Sequence, residues 1–363
     1  MATSTLTKAR QNKADEFYTQ LPDIEAEMRH YRSQFKGKSV LCNCDDPFES
    51  NFFKYFALNF NFLGLRKLVA TCYAGSSVMQ GELDLFGVPG VAESDARAKT
   101  PYKIEITEVP DANADGATDL ADVAHLLKNR RNALALLNGD GDFRSRECVE
   151  LMKQADIVAT NPPFSLFREY VAQLIALDKK FIVLGNQNAV SYREIFTLFQ
   201  RNLVWKGYHC GDMEFVVPSY YEAHETRFRV GNDGVRYRSL GNICWYTNLD
   251  VAKRHEFMTL YCNYTPDAYP RYANYDAIEV SKTSEIPCDF DGAMGVPITF
   301  LDKYNPEQFE IVGASRFLGR PMSEIAPKGT FVAGGVRFYL PNGDGTYRRL
   351  YDRIVIRRKG SAT

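Results

Sequence analysis

The feature that most constrains this chain is an apolar run, Ala155-Asp156-Ile157-Val158-Ala159-Thr160, that stops at Asn161-Pro162-Pro163-Phe164. Proline offers no N–H to a sheet ladder and holds the residue before it extended, so the two prolines end a buried strand in an open, rigid turn. Beyond the turn, Ser165 reads as a helix N-cap, with Leu166, Tyr170, Leu174 and Leu177 at helical spacing. Strand, polar turn and helix are the parts of an α/β crossover, and open α/β sheets bind ligands at the carboxyl ends of their strands. Chemistry is therefore expected at this turn.

The same grammar recurs on both sides. Leu21, Ile24, Met28 and Tyr31 mark a helix with Pro22 in its first turn, and Ser39 to Cys44 reads as a strand running into an acidic turn, Asp45 to Asn51. An aromatic helix from about Phe52 to Leu63 and a strand from Lys67 to Cys72 complete a β-α-β unit. The pattern breaks from Tyr73 to Lys99, which reads as an inserted loop, and Tyr102 to Val109 then alternates as a strand. A helix near Leu120 to Lys128, a strand near Leu134 to Leu137, a helix from Glu147 to Lys153 and a strand from Lys180 to Gly185 continue the series. Alternation of this kind predicts an α/β fold with a doubly wound, mostly parallel sheet.

After Asn202 the helical periods give way to short strand-like pieces (Leu203 to Tyr208, Phe215 to Val217, Ile243 to Thr247, Ile298 to Leu301) and many tyrosines, which predicts a β-rich region. Pro341-Asn342-Gly343-Asp344-Gly345, between Val336 to Leu340 and Tyr347 to Ile356, is a hairpin signal.

With 363 residues, 45% of them hydrophobic, the chain can bury a large core. No apolar run reaches the roughly 20 residues that span a bilayer, and Met1 to Lys13 lacks a signal-peptide core, so no membrane partner and a cytoplasmic location are expected. Eight cysteines without Cys-x-x-Cys spacing suit reduced thiols better than a disulfide framework or a zinc site, and the five histidines show no metal spacing. The net charge of −1 gives no bulk argument for nucleic acid, but Arg348, Arg349, Arg353, Arg357, Arg358 and Lys359 form a local basic patch. That patch reads either as a DNA contact or as a charge-blunted sheet edge.

The Asn161 turn suits methyl transfer to a planar amine. An asparagine side-chain oxygen and the carbonyl of Pro162 can both accept from one NH₂ group, Pro163 fixes that carbonyl's direction, and Phe164 supplies a face for a stacked base. The bland alternative is a proline-stopped strand in an ordinary loop. Two further strand ends are acidic, Asp45-Asp46 and Asp140-Gly141-Asp142, and carboxylates there suit the hydroxyls and amines of a nucleoside cofactor. Gly139-x-Gly141 has Arg144 where a dinucleotide fingerprint needs its third glycine. Pro287-Cys288 lacks the supporting motifs of a cytosine carbon-5 methyltransferase.

In combination, Asp15-Glu16-Phe17-Tyr18-Thr19, Val40-Leu41-Cys42-Asn43-Cys44-Asp45-Asp46-Pro47, Gly139-Asp140-Gly141-Asp142-Phe143, Asn161-Pro162-Pro163-Phe164-Ser165-Leu166-Phe167, Gly185-Asn186 and Gly295-Val296-Pro297-Ile298-Thr299-Phe300-Leu301 resemble the EcoRI-type family of adenine-specific DNA methyltransferases. The resemblance implies a Rossmann-like class I methyltransferase. Its S-adenosyl-L-methionine-binding catalytic domain would be 1–202, with an insertion at about 73–117, and 203–363 would be a β-rich target-recognition region, part of which could complete the catalytic sheet. It further implies that Phe17, Tyr18 and Thr19 cover the methionine end of the cofactor, Asp45 and Asp46 form the turn beneath it, and Asp142 and Phe143 contact its adenine. Asn161, Pro162, Pro163 and Phe164 would hold a flipped adenine for N6 methylation. On the DNA-contact reading of the basic patch, Arg348, Arg349 and Arg353 would meet DNA.

A cognate restriction endonuclease would share the target site without touching the protein; a solitary, phage-type methylase is the other possibility, and oligomeric state is not fixed by sequence. RNA adenine or cytosine-N4 methylation on the same fold, or a non-catalytic nucleic-acid-binding module, are the alternative readings. Cys-Asn-Cys-Asp-Asp stands where many methyltransferases have a glycine-rich loop, and Ala70-Thr71-Cys72-Tyr73 ends the second strand without the usual acid, so the ribose partner is not identified.

Overall fold

The computed structural model describes residues 17–360 apart from 45–46, 48–49, 73–100, 112–121, 124, 126–133, 218–220 and 224–225. The expected turn acids Asp45 and Asp46, and most of the expected insertion, lie outside the described residues. The chain divides into two compact units, Met1–Ala189 with Gly207–Leu249, and Val190–Lys206 with Asp250–Thr363. Among the described residues no helix is long and apolar enough to cross a membrane.

In chain order the first unit contains β1 (Tyr18–Thr19), α1 (Leu21–Met28), β2 (Ser39–Cys42), α2 (Asn51–Leu58), β3 (Lys67–Thr71), β4 (Tyr102–Ile106), β5 (Leu134–Leu136), α3 (Arg146–Gln154), β6 (Ile157–Thr160), α4 (Phe167–Ala176) and β7 (Lys180–Asn186). Beyond α5 (Arg193–Gln200), which belongs to the second unit, come β8 (Trp205–Val217), β9 (Phe228–Val230) and β10 (Arg236–Thr247). These strands form one sheet in the order β1-β8-β10-β7-β6-β2-β3-β4-β5, with β9 on β10. The centre is parallel: Val40 pairs with Ile157, Ser39 with Lys67, and Ile157 with Lys180. Antiparallel strands flank it, β4 on β3 and β10 on β7. The fold is thus mixed α/β with a parallel core.

Burial explains which runs became central strands. Every residue of β2 and β6 is buried, as expected of strands covered on both faces, whereas β4 alternates, with Tyr102, Ile104 and Ile106 buried and Lys103 and Glu105 half-exposed. Ser50 and Ser145 cap α2 and α3 by accepting from Phe53 N and Cys148 N. Gly185, in β7, leaves room for the Phe167 ring, because a Cβ there would stand 2.4 Å from it.

Several expectations change. The separate runs at Leu203 to Tyr208 and Phe215 to Val217 join as the single long strand β8, and Ile243 to Thr247 is the buried end of β10; both strands belong to the main sheet. Ile298 to Leu301 forms a 3-10 helix, Ile298–Asp302, because Pro297 leads the chain out of its strand into a tight turn. Ser165 caps nothing: it lies inside a 3-10 turn, Phe164–Leu166, and α4 starts at Phe167. The buried face of α4 is consequently Phe167, Tyr170, Val171 and Leu174. Cys210 and Cys244, on neighbouring strands with Cα atoms 4.3 Å apart, are joined as a disulfide where reduced thiols were expected.

A buried carboxylate fixes α1 in the sheet. Glu27 is fully buried and accepts from Tyr31 OH at 2.8 Å, Tyr208 N at 2.8 Å, His209 N at 2.9 Å and His209 Nδ1 at 2.7 Å. Gly207 makes the approach possible, since a Cβ there would lie 2.2 Å from Glu27 Oε1.

The second unit carries a four-stranded sheet in the order β11 (Ile278–Glu279), β12 (Met294–Pro297), β16 (Arg353–Arg358) and β13 (Phe309–Ala314). Val355 packs with Tyr272, Ala277, Phe338 and Leu340 in its core. The expected hairpin forms, with β14 (Tyr339–Pro341) against β15 (Tyr347–Arg349) and Gly343 and Gly345 at φ of 86° and 84° in the turn. The long run after the turn is split: β15 stays in the hairpin and β16 enters the four-stranded sheet.

Candidate active site

The strand order creates one topological switch. From the adjacent pair β2 and β6, the chain proceeds to β3 on one side and to β7 on the other, so a crevice opens at their carboxyl ends. Asn43 follows β2 and Asn161 follows β6. Thr160 Oγ1 donates to the Asn43 carbonyl, and Tyr170 OH, from α4, donates to Asn43 Oδ1, so the two strand ends and the following helix form one network. Burial pushes the Tyr170 hydroxyl well above the ordinary tyrosine range, which keeps it a donor.

Asn161 is 6% exposed, and its Nδ2 donates to the Phe17 carbonyl at 2.5 Å. A carbonyl only accepts, so the NH₂ end must face Phe17 and Oδ1 must face the other way. That Oδ1 is buried and has no hydrogen-bond partner among the described residues. Asn43 Nδ2 and Thr19 Oγ1 are likewise buried without partners among them. Unsatisfied buried polar atoms are uncommon, and three of the nine found among the described residues lie on these neighbouring segments.

The turn is stiff. Pro163 sits at φ −54°, ψ 125°, and its carbonyl accepts from Leu166 N at 2.9 Å, which starts the 3-10 turn. Phe164, half-buried, stacks on Phe17 with ring centroids 5.7 Å apart and 20° between planes, and meets the edge of Phe215 at 6.3 Å. Phe17 also touches Phe215 and Tyr221 edge-on. Tyr18 and Thr19 form β1, held against Val216 and Phe215, and the Thr19 carbonyl accepts from Asn51 Nδ2 at 2.7 Å. The N-terminal aromatic segment and the Asn161 turn, distant in sequence, are therefore in contact.

Asp142 and Phe143 reach the same network from another strand end. Phe143 is buried, with its ring edge-on to Tyr170 at 5.0 Å, and its carbonyl accepts from Gln173 Nε2 at 2.9 Å. Asp142 is gripped by Arg144, Oδ1 by N and Nε at 2.8 Å and Oδ2 by NH2 at 2.6 Å. The hydrogen bonds to Asp142 hold the Arg144 guanidinium above its usual range. The residue in the third-glycine position is thus the acid's clamp.

Cys44 adopts φ of 81°, the left-handed conformation that favours glycine. A cysteine thus takes a backbone conformation usually left to glycine. Arg348 and Arg349 lie in the second unit, and Arg353 differs from both: its guanidinium pairs with buried Glu279 at 2.7 Å and faces little solvent. Sequence reasoning missed Asn43, Thr160 and Phe215 as site residues; the signal available was an asparagine closing an otherwise apolar strand.

A sequence model of the family described as "Adenine-specific methyltransferase EcoRI" matches residues 5–359. The Type II methyltransferase M.EcoRI of Escherichia coli is 46% identical over 311 residues, which cover 85% of this chain and 88% of that protein. The Type II methyltransferase M.MgeORF184P of Mycoplasma genitalium is 35% identical over 362 residues, covering 97% of this chain and 98% of that protein. The Type II methyltransferase M.MpnI of Mycoplasma pneumoniae is 35% identical over 364 residues, covering 97% of each.

Proposed function

The chain belongs to the EcoRI family of adenine-specific methyltransferases, and from that premise we propose that it methylates the exocyclic N6 amino group of an adenine swung out of duplex DNA. The observation that carries the residue-level reading is Asn161, whose amide is locked by the Phe17 carbonyl so that a buried Oδ1, without a partner among the described residues, is left to accept. Asn161 Oδ1 and the Pro162 carbonyl take the two N–H groups of the adenine amine, and Phe164 offers its ring face to the base. Two acceptors on one NH₂ oppose delocalisation of the nitrogen lone pair into the ring and aim it. Catalysis on this reading is positioning and electrostatics, with no covalent enzyme intermediate.

A methyltransferase of this family implies S-adenosyl-L-methionine, which when bound supplies a methyl group on a positively charged sulfur. The residues present fit such a group. Thr19 Oγ1 and Asn43 Nδ2 have no partner among the described residues, one able to donate or accept and the other a donor, and the cofactor's carboxylate, amine and ribose hydroxyls match both kinds. Phe17 and Tyr18 would cover it, and the Asp142-Phe143 segment, fixed by Arg144 and Tyr170, would bound its adenine side. We assign a Rossmann-like catalytic role to the first unit and target recognition to the region from about 250 onward.

The test is methyl transfer from tritiated cofactor to DNA, RNA and protein offered separately. Incorporation into DNA adenine is expected; label in RNA or protein alone would overturn the substrate. Asn161→Ala should lower transfer by about a hundredfold or more while cofactor binding, measured by calorimetry, persists; normal turnover in that variant would remove Asn161 from the mechanism.

A further inference from the structure

The second unit holds a cleft of roughly 860 Å³ whose lining includes Arg316, Arg337, Arg348, Arg349, Tyr351 and Asp352. Four guanidiniums against one carboxylate leave a local charge of about +3 in a protein whose total is −1. The cluster is built. Asp352 accepts from Arg316 Nε at 2.9 Å and forms an ion pair with Arg337 Nε at 2.8 Å, so a single acid holds two arginines. Arg349 donates through NH2 to the Gly335 carbonyl at 3.0 Å, over a glycine pair that leaves it room: a Cβ at Gly334 would stand 2.8 Å from the guanidinium carbon. Its Nε is buried with no partner among the described residues. Tyr351 is 89% exposed and Val332, also on the lining, 66%.

We propose that this cleft grips the phosphate backbone of duplex DNA, with Arg348 and Arg349 as the phosphate contacts and Tyr351 packing on the sugar-base edge. The inference rests on the reading that the substrate is DNA. A solvated face would intersperse both signs of charge. Here arginines, the side chain whose planar fork suits phosphate, surround a concavity and share it with an exposed aromatic ring. Flipping a base costs a few kcal/mol, and a cationic cleft elsewhere on the protein supplies binding energy to recover it. Arg353 has no part in this, because Glu279 neutralises it within the four-stranded sheet.

The experiment is fluorescence anisotropy of the full chain on a labelled random-sequence duplex across a potassium chloride titration. Removing one phosphate-binding guanidinium should lower the slope of log affinity against log salt by about 0.9, so Arg348→Ala and Arg349→Ala should each weaken binding several-fold, and the double variant should lose about twice that slope. Arg348→Lys should retain the slope. Tyr351→Ala should weaken binding at unchanged slope. Arg357, exposed on β16 and outside the cleft, is the control, and Arg357→Ala should match the parent.

A double variant with parental affinity and slope overturns the proposal, as does an Arg357→Ala loss equal to that of Arg348→Ala, which would mean diffuse charge. If the parent methylates DNA while the double variant binds normally, the cleft fails and the substrate assignment stands. If the parent transfers no methyl to DNA and prefers single-stranded RNA, the substrate assignment itself fails.

Discussion

Two buried polar centres in the first unit are held in opposite ways. Glu27 carries a full set of donors from Tyr31, Tyr208 and His209, whereas Asn161 and Asn43 each have one end anchored and one end unpartnered among the described residues. Burying an unmatched polar atom costs about 1–3 kcal/mol, so a fold tolerates it where something else will satisfy it. On the proposed reading, the satisfied centre is structural and the half-satisfied pair serves a ligand.

The comparison is broken most forcefully at Glu27. Glu27→Ala removes the acceptor from three backbone or side-chain N–H groups and a tyrosine hydroxyl, and each buried donor left unmatched costs about 1–3 kcal/mol. Burial and the adjacent carboxylate push the Tyr31 hydroxyl above its usual range, so it has no alternative but to donate. Chemical denaturation should therefore show a large fall in stability. Turnover per folded molecule should hardly change, because Glu27 touches no atom of the proposed site; a specific catalytic defect in the folded fraction would erase the distinction.

Asn161→Ala is the mirror experiment. Methyl transfer should fall by about a hundred- to a thousandfold, the scale for losing one oriented hydrogen-bonding group at a reacting centre. Denaturation should report far less than the Glu27 change, since the substitution removes an unsatisfied oxygen along with one hydrogen bond to the Phe17 carbonyl. A loss of stability as large as that of Glu27→Ala would make Asn161 a structural residue.

Legibility in the sequence followed the same division. The Asn161 turn could be read because prolines act on their own neighbours and an apolar strand announces its end. Glu27 could not, because helical periodicity counts a carboxylate as solvent-facing, and its burial depends on Gly207, far away in sequence. Phe17 and Asn161 were both singled out, but no local pattern encodes the hydrogen bond that joins them. Ser165 illustrates the limit of cap signals: Pro163 sets a 3-10 turn first, so the serine falls inside the turn and α4 begins two residues later. β8 and β10 read as fragments because the middle of β8, Tyr208 to Asp212, and the first half of β10 are half-exposed or exposed, although the stretches beside them pack in the main sheet.

Tyr170→Phe sharpens the comparison from the helix side. It deletes the donor to Asn43 Oδ1 and leaves that atom unmatched, converting a half-satisfied asparagine into a free one. Stability should drop by about 1 kcal/mol, the usual scale for a buried hydrogen bond. If Asn43 Nδ2 serves the cofactor, affinity for S-adenosylhomocysteine should weaken several-fold by calorimetry, because the side chain is no longer held in one orientation. Unchanged affinity would confine the Tyr170–Asn43 bond to packing.

The smallest effect is expected beside Asn43, where the backbone itself differs between the two centres. At Glu27 the crowded position is occupied by glycine, Gly207, and no strain is stored; at the end of β2 the left-handed turn is made by Cys44, a residue that adopts φ of 81° only at some cost. Cys44→Gly relieves that cost but adds freedom to the unfolded chain, and the two terms oppose each other at about 1 kcal/mol each. The denaturation midpoint should consequently move little in either direction. Cofactor affinity is the sharper readout: if the strained cysteine holds Asn43 in place, glycine should weaken binding even where stability is unchanged, and a variant that binds as tightly as the parent would show that Tyr170 alone sets the orientation.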